Sequence, residues 1–144
     1  MKKSKFFISM FTLLILLTGG PFQSTVNAQA ISISNDIRPY YSYVSNINAF
    51  ISIDNGYATC LGSLSIYYDY PTSITITLQR SENGVNWSNV KAWSNNFDGI
   101  GVHSLEKDYY VNSGYVYRVF NVVNVRNGTK IIETASVSSL EIHY

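Results

Sequence analysis

The chain has 144 residues, ten Lys and Arg against nine Asp and Glu for a net charge of +1, and an aromatic share of 15%. Balanced charge without a basic stripe excludes the electrostatic footprint of a nucleic-acid binder, and the length suits one domain rather than two. Cys60 is the only cysteine, so no disulfide closes within the chain and the core must stand by burial alone.

Residues 1–30 read as a cleaved secretory signal. Lys2, Lys3 and Lys5 precede an uncharged, largely apolar run from Phe6 to Leu17, which predicts a signal helix. The run is shorter than the roughly 20 residues that span a bilayer, and Gly19-Gly20-Pro21 ends it. Val26-Asn27-Ala28 and Ala28-Gln29-Ala30 both put small residues where a signal peptidase reads; cleavage is placed after Ala30, with Ala28 as the alternative. Processing removes three cations and no acid, so seven cations face nine acids and the net charge becomes −2. No Cys follows the apolar run and no sorting motif precedes Tyr144. A secreted, extracellular chain without a membrane anchor after cleavage is therefore expected.

Residues 31–45 read as an extended arm bent at Pro39, and residues 46–144 as a β-sandwich domain. No stretch after residue 30 shows helical apolar spacing, and β-branched and aromatic residues dominate. Ile47, Ala49, Ile51 and Ile53 alternate before the turn signal Asp54-Asn55-Gly56. In the returning strand, Tyr57 to Tyr67, Ala58, Cys60, Leu64 and Ile66 share a face. Beyond a Tyr68-Asp69-Tyr70-Pro71 loop, Ile74, Ile76 and Leu78 alternate with Thr75, Thr77 and Gln79. Glu82-Asn83-Gly84 predicts a tight hairpin into a strand from Trp87 to Trp93, and Ser94 to Gly101 reads as a polar loop. Strands follow around His103 to Tyr110, Tyr115 to Val125 and Lys130 to Val137, with Leu140 and Ile142 trailing. The expected fold is all-β, a seven-stranded antiparallel sandwich. Tyr117, Val119 and Val123 join the inward set, where Asn121 sits awkwardly and needs either a partner or a bulge.

The stretch Val111-Asn112-Ser113-Gly114-Tyr115-Val116-Tyr117-Arg118-Val119 resembles the approach to the sixth strand of a fibronectin type III domain, an immunoglobulin-like fold. Tyr117 matches the tyrosine-corner position, whereas Ser113 stands where that family usually has Pro. Over about residues 51–137 the chain also resembles a group of small exported proteins of Gram-positive bacteria with a domain of unknown function. That likeness rests on Gly56-Tyr57-Ala58-Thr59-Cys60-Leu61-Gly62, Leu78-Gln79-Arg80, Gly84-Val85-Asn86-Trp87-Ser88-Asn89-Val90-Lys91-Ala92-Trp93-Ser94 and Gly114-Tyr115-Val116-Tyr117-Arg118-Val119. It implies fold and export, and no activity.

No nucleophile-bearing turn of the G-x-S-x-G kind occurs, and His103 and His143 are the only histidines. Two histidines and one thiol do not make a zinc site. Asp69 and Asp98 are the only loop carboxylate pair to consider for glycosidase chemistry, and Asn95, Asn96 and Asp98 collect oxygens without a calcium-loop pattern. No catalytic, cofactor or metal site is expected, and the chain reads as non-enzymatic.

All twelve tyrosines and both tryptophans follow the signal, and such a Tyr-, Asn- and Ser-rich surface suits recognition. Tyr68 and Tyr70 are the candidate contact platform, with Asp69 as polar anchor. Trp87 and Trp93, six apart, are expected on one face, either exposed for contact or covering the core. The reading is an exported binding or interaction domain, expected monomeric, whose partner is an extracellular protein or glycan. A carbohydrate or cell-wall binding module and a structural protein assembling through sheet edges are the alternatives.

Overall fold

Alternation of apolar and polar residues writes nine antiparallel strands into the residues described by the computed structural model, 41–144 and the backbone of 28–31. They are β1 (Ala28–Ile31), β2 (Val44–Asp54), β3 (Tyr57–Ile66), β4 (Thr72–Ser81), β5 (Ser88–Phe97), β6 (Gly101–Tyr110), β7 (Val116–Asn127), β8 (Lys130–Ser138) and β9 (Ile142–His143). The first sheet has the order β1-β2-β3-β6, and the second β5-β4-β7-β8, with β9 pairing the start of β7. The seven expected strands are β2 to β8. The expected signal helix lies outside the described residues, and the short strand β1 overlaps the expected cleavage sites.

Each sheet turns one row of side chains toward the other. All ten residues expected to face inward, from Ala58 to Val123, are at most 2% exposed. Ile51, Ile53 and Val125 complete the same core. At the β2–β3 hairpin, Asp54 pairs with Tyr57 and both turn residues take positive φ, 48° at Asn55 and 85° at Gly56. That is the turn an Asn-Gly pair favours, because its twist matches the strands.

Asn121 finds partners rather than a bulge. Its Nδ2 donates to the carbonyls of Asn48 (2.8 Å) and Ser63 (3.2 Å), so a fully buried amide of β7 ties the second sheet to two strands of the first. Tyr117 lies in β7 with its ring buried, and its hydroxyl donates to the Asn112 carbonyl at 2.8 Å. The ring thereby anchors the crossing from β6 to β7.

Two local readings change. Glu82-Asn83-Gly84 does not close a tight hairpin: a six-residue loop separates Ser81 from Ser88, organised by the Asn83 side chain, whose Oδ1 accepts from the amides of Val85 and Asn86. Side-chain capping of this kind competes with hairpin closure. The expected polar loop from Ser94 is shorter, because Ser94 to Phe97 continue β5 and pair with Thr72 to Thr75.

Candidate functional site

The aromatic surface lies at the end of the sandwich where β3 hands over to β4. There Tyr67 (74% exposed) and Tyr68 (51%) project from the loop, Asp69 is exposed, and Tyr70 turns back to pack against the core. Pro71 restricts Tyr70 to extended backbone, while the Tyr70 amide bonds the Tyr68 carbonyl at 2.9 Å and the Pro71 carbonyl accepts from Arg126 at 2.9 Å. The expected trio is thus together, but with divided roles. Tyr68 and Asp69 face outward, and Tyr70 supports them from below.

Tyr43 is the support that sequence reasoning missed. Its ring meets Tyr68 and Tyr70 edge-on, with centroids 5.5 and 5.3 Å apart, a geometry worth about 0.5–1.5 kcal/mol per pair beyond area. Tyr43 is itself held by Glu133 of β8, whose carboxylate accepts from the backbone amides of Ser42 (2.6 Å), Tyr43 (3.2 Å) and Val44 (2.9 Å). Glu133 pairs with buried Val125, and a charge in an inward register demands a partner.

The tryptophans are not part of this end and do not share a face. Leu78 pairs with Lys91 but Gln79 with Asn89, leaving Val90 as a bulged extra residue in β5. One extra residue inverts the alternation beyond it. Trp93, opposite buried Ile76, therefore packs inward and meets Tyr109 at 6.0 Å. Trp87, just before β5, lies under the Arg118 guanidinium at 3.9 Å, and Arg118 Nε donates to Gln79 Oε1 at 2.9 Å on the outer face of the second sheet.

Of the residues weighed for catalysis or metal binding, Cys60, His103 and the Asn95-Asn96 pair are each taken up by the fold. Cys60 is buried, and burial, then the nearby Asp108 charge, pushes its thiol up to about 12; a thiol held protonated is a poor nucleophile. His103 stacks on Phe97 at 5.1 Å and its Nε2 contacts the Gly99 carbonyl at 2.9 Å. Asn95 and Asn96 are consecutive in β5, so they point to opposite faces instead of gathering with Asp98 in a loop. Among the described residues no three His, Cys, Asp or Glu side chains converge. A scan against protein-family models finds no match to the chain, and a search of curated proteins finds none either.

Proposed function

We propose that the chain is an exported, non-enzymatic binding domain on an immunoglobulin-like, fibronectin type III-like sandwich, and that it holds an extracellular protein or glycan through its tyrosine-rich end. Export is supported by the cationic stub, apolar run and small-residue cleavage sites of residues 1–30, and by the likeness to exported Gram-positive proteins. The sandwich assignment is supported by strand order. β2-β3-β6 against β5-β4-β7-β8 corresponds to strands A-B-E against C′-C-F-G of an immunoglobulin-type fold. The Tyr117 bond to Asn112 has the form of a tyrosine corner. A non-enzymatic role fits the protonated, buried Cys60 and the structurally engaged His103.

The observation that carries the binding role is the exposed Tyr67 and Tyr68 pair on a braced loop. Tyrosine gives large amphipathic contact at low entropy cost, and bracing by Tyr43, Tyr70 and the Pro71 carbonyl removes ordering that binding would otherwise require. The test is binding of the processed domain to purified cell-wall sacculi, a glycan array and extracellular matrix proteins, with Tyr67→Ala/Tyr68→Ala alongside. The double substitution is expected to weaken a detected interaction by about tenfold or more, the behaviour of a hot-spot residue, with the domain still folded and the melting temperature lowered only by the several degrees that the lost Tyr68–Tyr43 edge contact costs. Unchanged binding would place the site elsewhere.

A further inference from the structure

The edges of the sandwich are guarded unequally. β5 carries Lys91 and the Val90 bulge, β6 carries Glu106-Lys107-Asp108, and β8 opens with Lys130 beside a register break at Val125/Arg126. Charges and bulges of this kind keep an edge from pairing with another chain. From Asn46 to Ile53, β2 has neither: the run Asn46-Ile47-Asn48-Ala49-Phe50-Ile51-Ser52-Ile53 contains no charge, Pro or Gly, and its one bulge lies at the Val44/Asn46 end. What covers this edge is β1, whose backbone pairs antiparallel from Ala28↔Ile53 to Ile31↔Phe50. The cover is the same short segment that carries both expected cleavage sites. A cut after Ala30 leaves only Ile31 of it, whereas a cut after Ala28 leaves Gln29, Ala30 and Ile31.

We propose that β1 is a removable cover, and that a chain processed after Ala30 pairs the uncovered edge of β2 with β2 of a second copy. The proposal rests on the export reading, since processing is what removes the cover. β1 already shows that this edge accepts an antiparallel strand. Two copies of β2 related by a two-fold axis also run antiparallel, so the second copy presents the backbone direction that β1 presents. The pairing is isologous and uses the same edge on both copies, so it closes at a dimer. It joins β6-β3-β2 of each copy into one six-stranded sheet. Ile51 and Ile53 remain in their own cores, and the new contact is carried by main-chain hydrogen bonds, as in other strand additions.

The test compares purified chains starting at Ser24 and at Ile31. Among the described residues both keep every buried hydrophobic one, since these lie between Val44 and Ile142. Light scattering coupled to gel filtration should give the Ile31 form twice the single-chain mass, falling on dilution, and the Ser24 form the single-chain mass throughout. Asn48→Lys/Ser52→Lys in the Ile31 form puts four like charges across the seam while leaving inward residues untouched, and it should restore the single-chain mass. An Ile31 form that stays at single-chain mass at every concentration overturns the proposal, as does a dimer indifferent to the lysines. The N-terminus of secreted protein is read by mass spectrometry in parallel. A start at Gln29 also overturns the proposal, because most of the cover then stays. An intact Met1 would instead refute export, and the comparison of purified forms separates that failure from this one.

Discussion

Gly62 offers a sharp test of how closely the two sheets approach. It lies in β3 between Cys60 and Leu64, facing inward, and a methyl built there would overlap the Ile76 Cγ2 methyl and lie 2.8 Å from Asn121 Cγ. Neither neighbour is free to yield: Ile76 is wholly buried, and Asn121 is held by the Asn48 and Ser63 carbonyls. Overpacking costs about 1–3 kcal/mol, and displacing Asn121 forfeits hydrogen bonds worth about 1 kcal/mol each. Gly62→Ala is therefore expected to lose about 3 kcal/mol, a large part of the roughly 5–15 kcal/mol that holds a domain folded. Ile76→Ala alone should lose about 2–5 kcal/mol by leaving a cavity. In the double variant the added methyl enters the vacated space, so its loss should fall short of the sum by at least about 1 kcal/mol. Urea unfolding followed by far-ultraviolet circular dichroism measures all three. Additivity within about 0.5 kcal/mol, or a neutral Gly62→Ala, would refute the close approach.

Three further outcomes follow from single contacts. Tyr117→Phe keeps the buried ring but removes the donor to Asn112, so urea unfolding should show a loss of about 1 kcal/mol; no loss would make the hydroxyl bond irrelevant to stability. Glu133→Gln removes the charge that three amides address, and a loss of about 1–2 kcal/mol with faster hydrogen exchange at Ser42, Tyr43 and Val44 is expected. Slow exchange retained at all three would mean that something else holds the arm. Cys60 ties stability to alkaline pH. Its folded thiol titrates at about 12 against an ordinary 9.0, so the unfolded chain releases its proton first. The stabilisation is full below pH 9 and declines as pH rises toward 12. Cys60→Ala should flatten that decline in pH-dependent denaturation curves, and an unchanged slope would contradict it.

The fold was legible because its determinants are local. Alternation in Tyr57 to Ile66 and Thr72 to Ser81 names the inward faces directly, and Asn55-Gly56 names the first turn. Parity, by contrast, is fragile. The Val90 bulge carries no signature in Ser88-Asn89-Val90-Lys91, yet it decides that Trp87 and Trp93 part company. Long-range contacts were also hidden. Glu133 reaches the arm across about ninety residues, and no pattern near Tyr43 announces it. The tyrosine loop was legible as a cluster, but the division between exposed Tyr68 and supporting Tyr70 depends on Tyr43, which arrives from the bend before β2, about twenty-five residues earlier in the chain.

The Val90 bulge also gives the domain two independent optical reporters. Trp93 sits inside the mouth between β5 and β6 against Tyr109, so its emission follows the closure of the sandwich. Trp87 lies beneath a guanidinium on the outer surface, so its emission follows that cation and whatever approaches the face. Replacing either indole by Phe isolates the other. Ligand arriving on the second sheet would then change the Trp87 signal alone, whereas loosening of the core would shift Trp93 first.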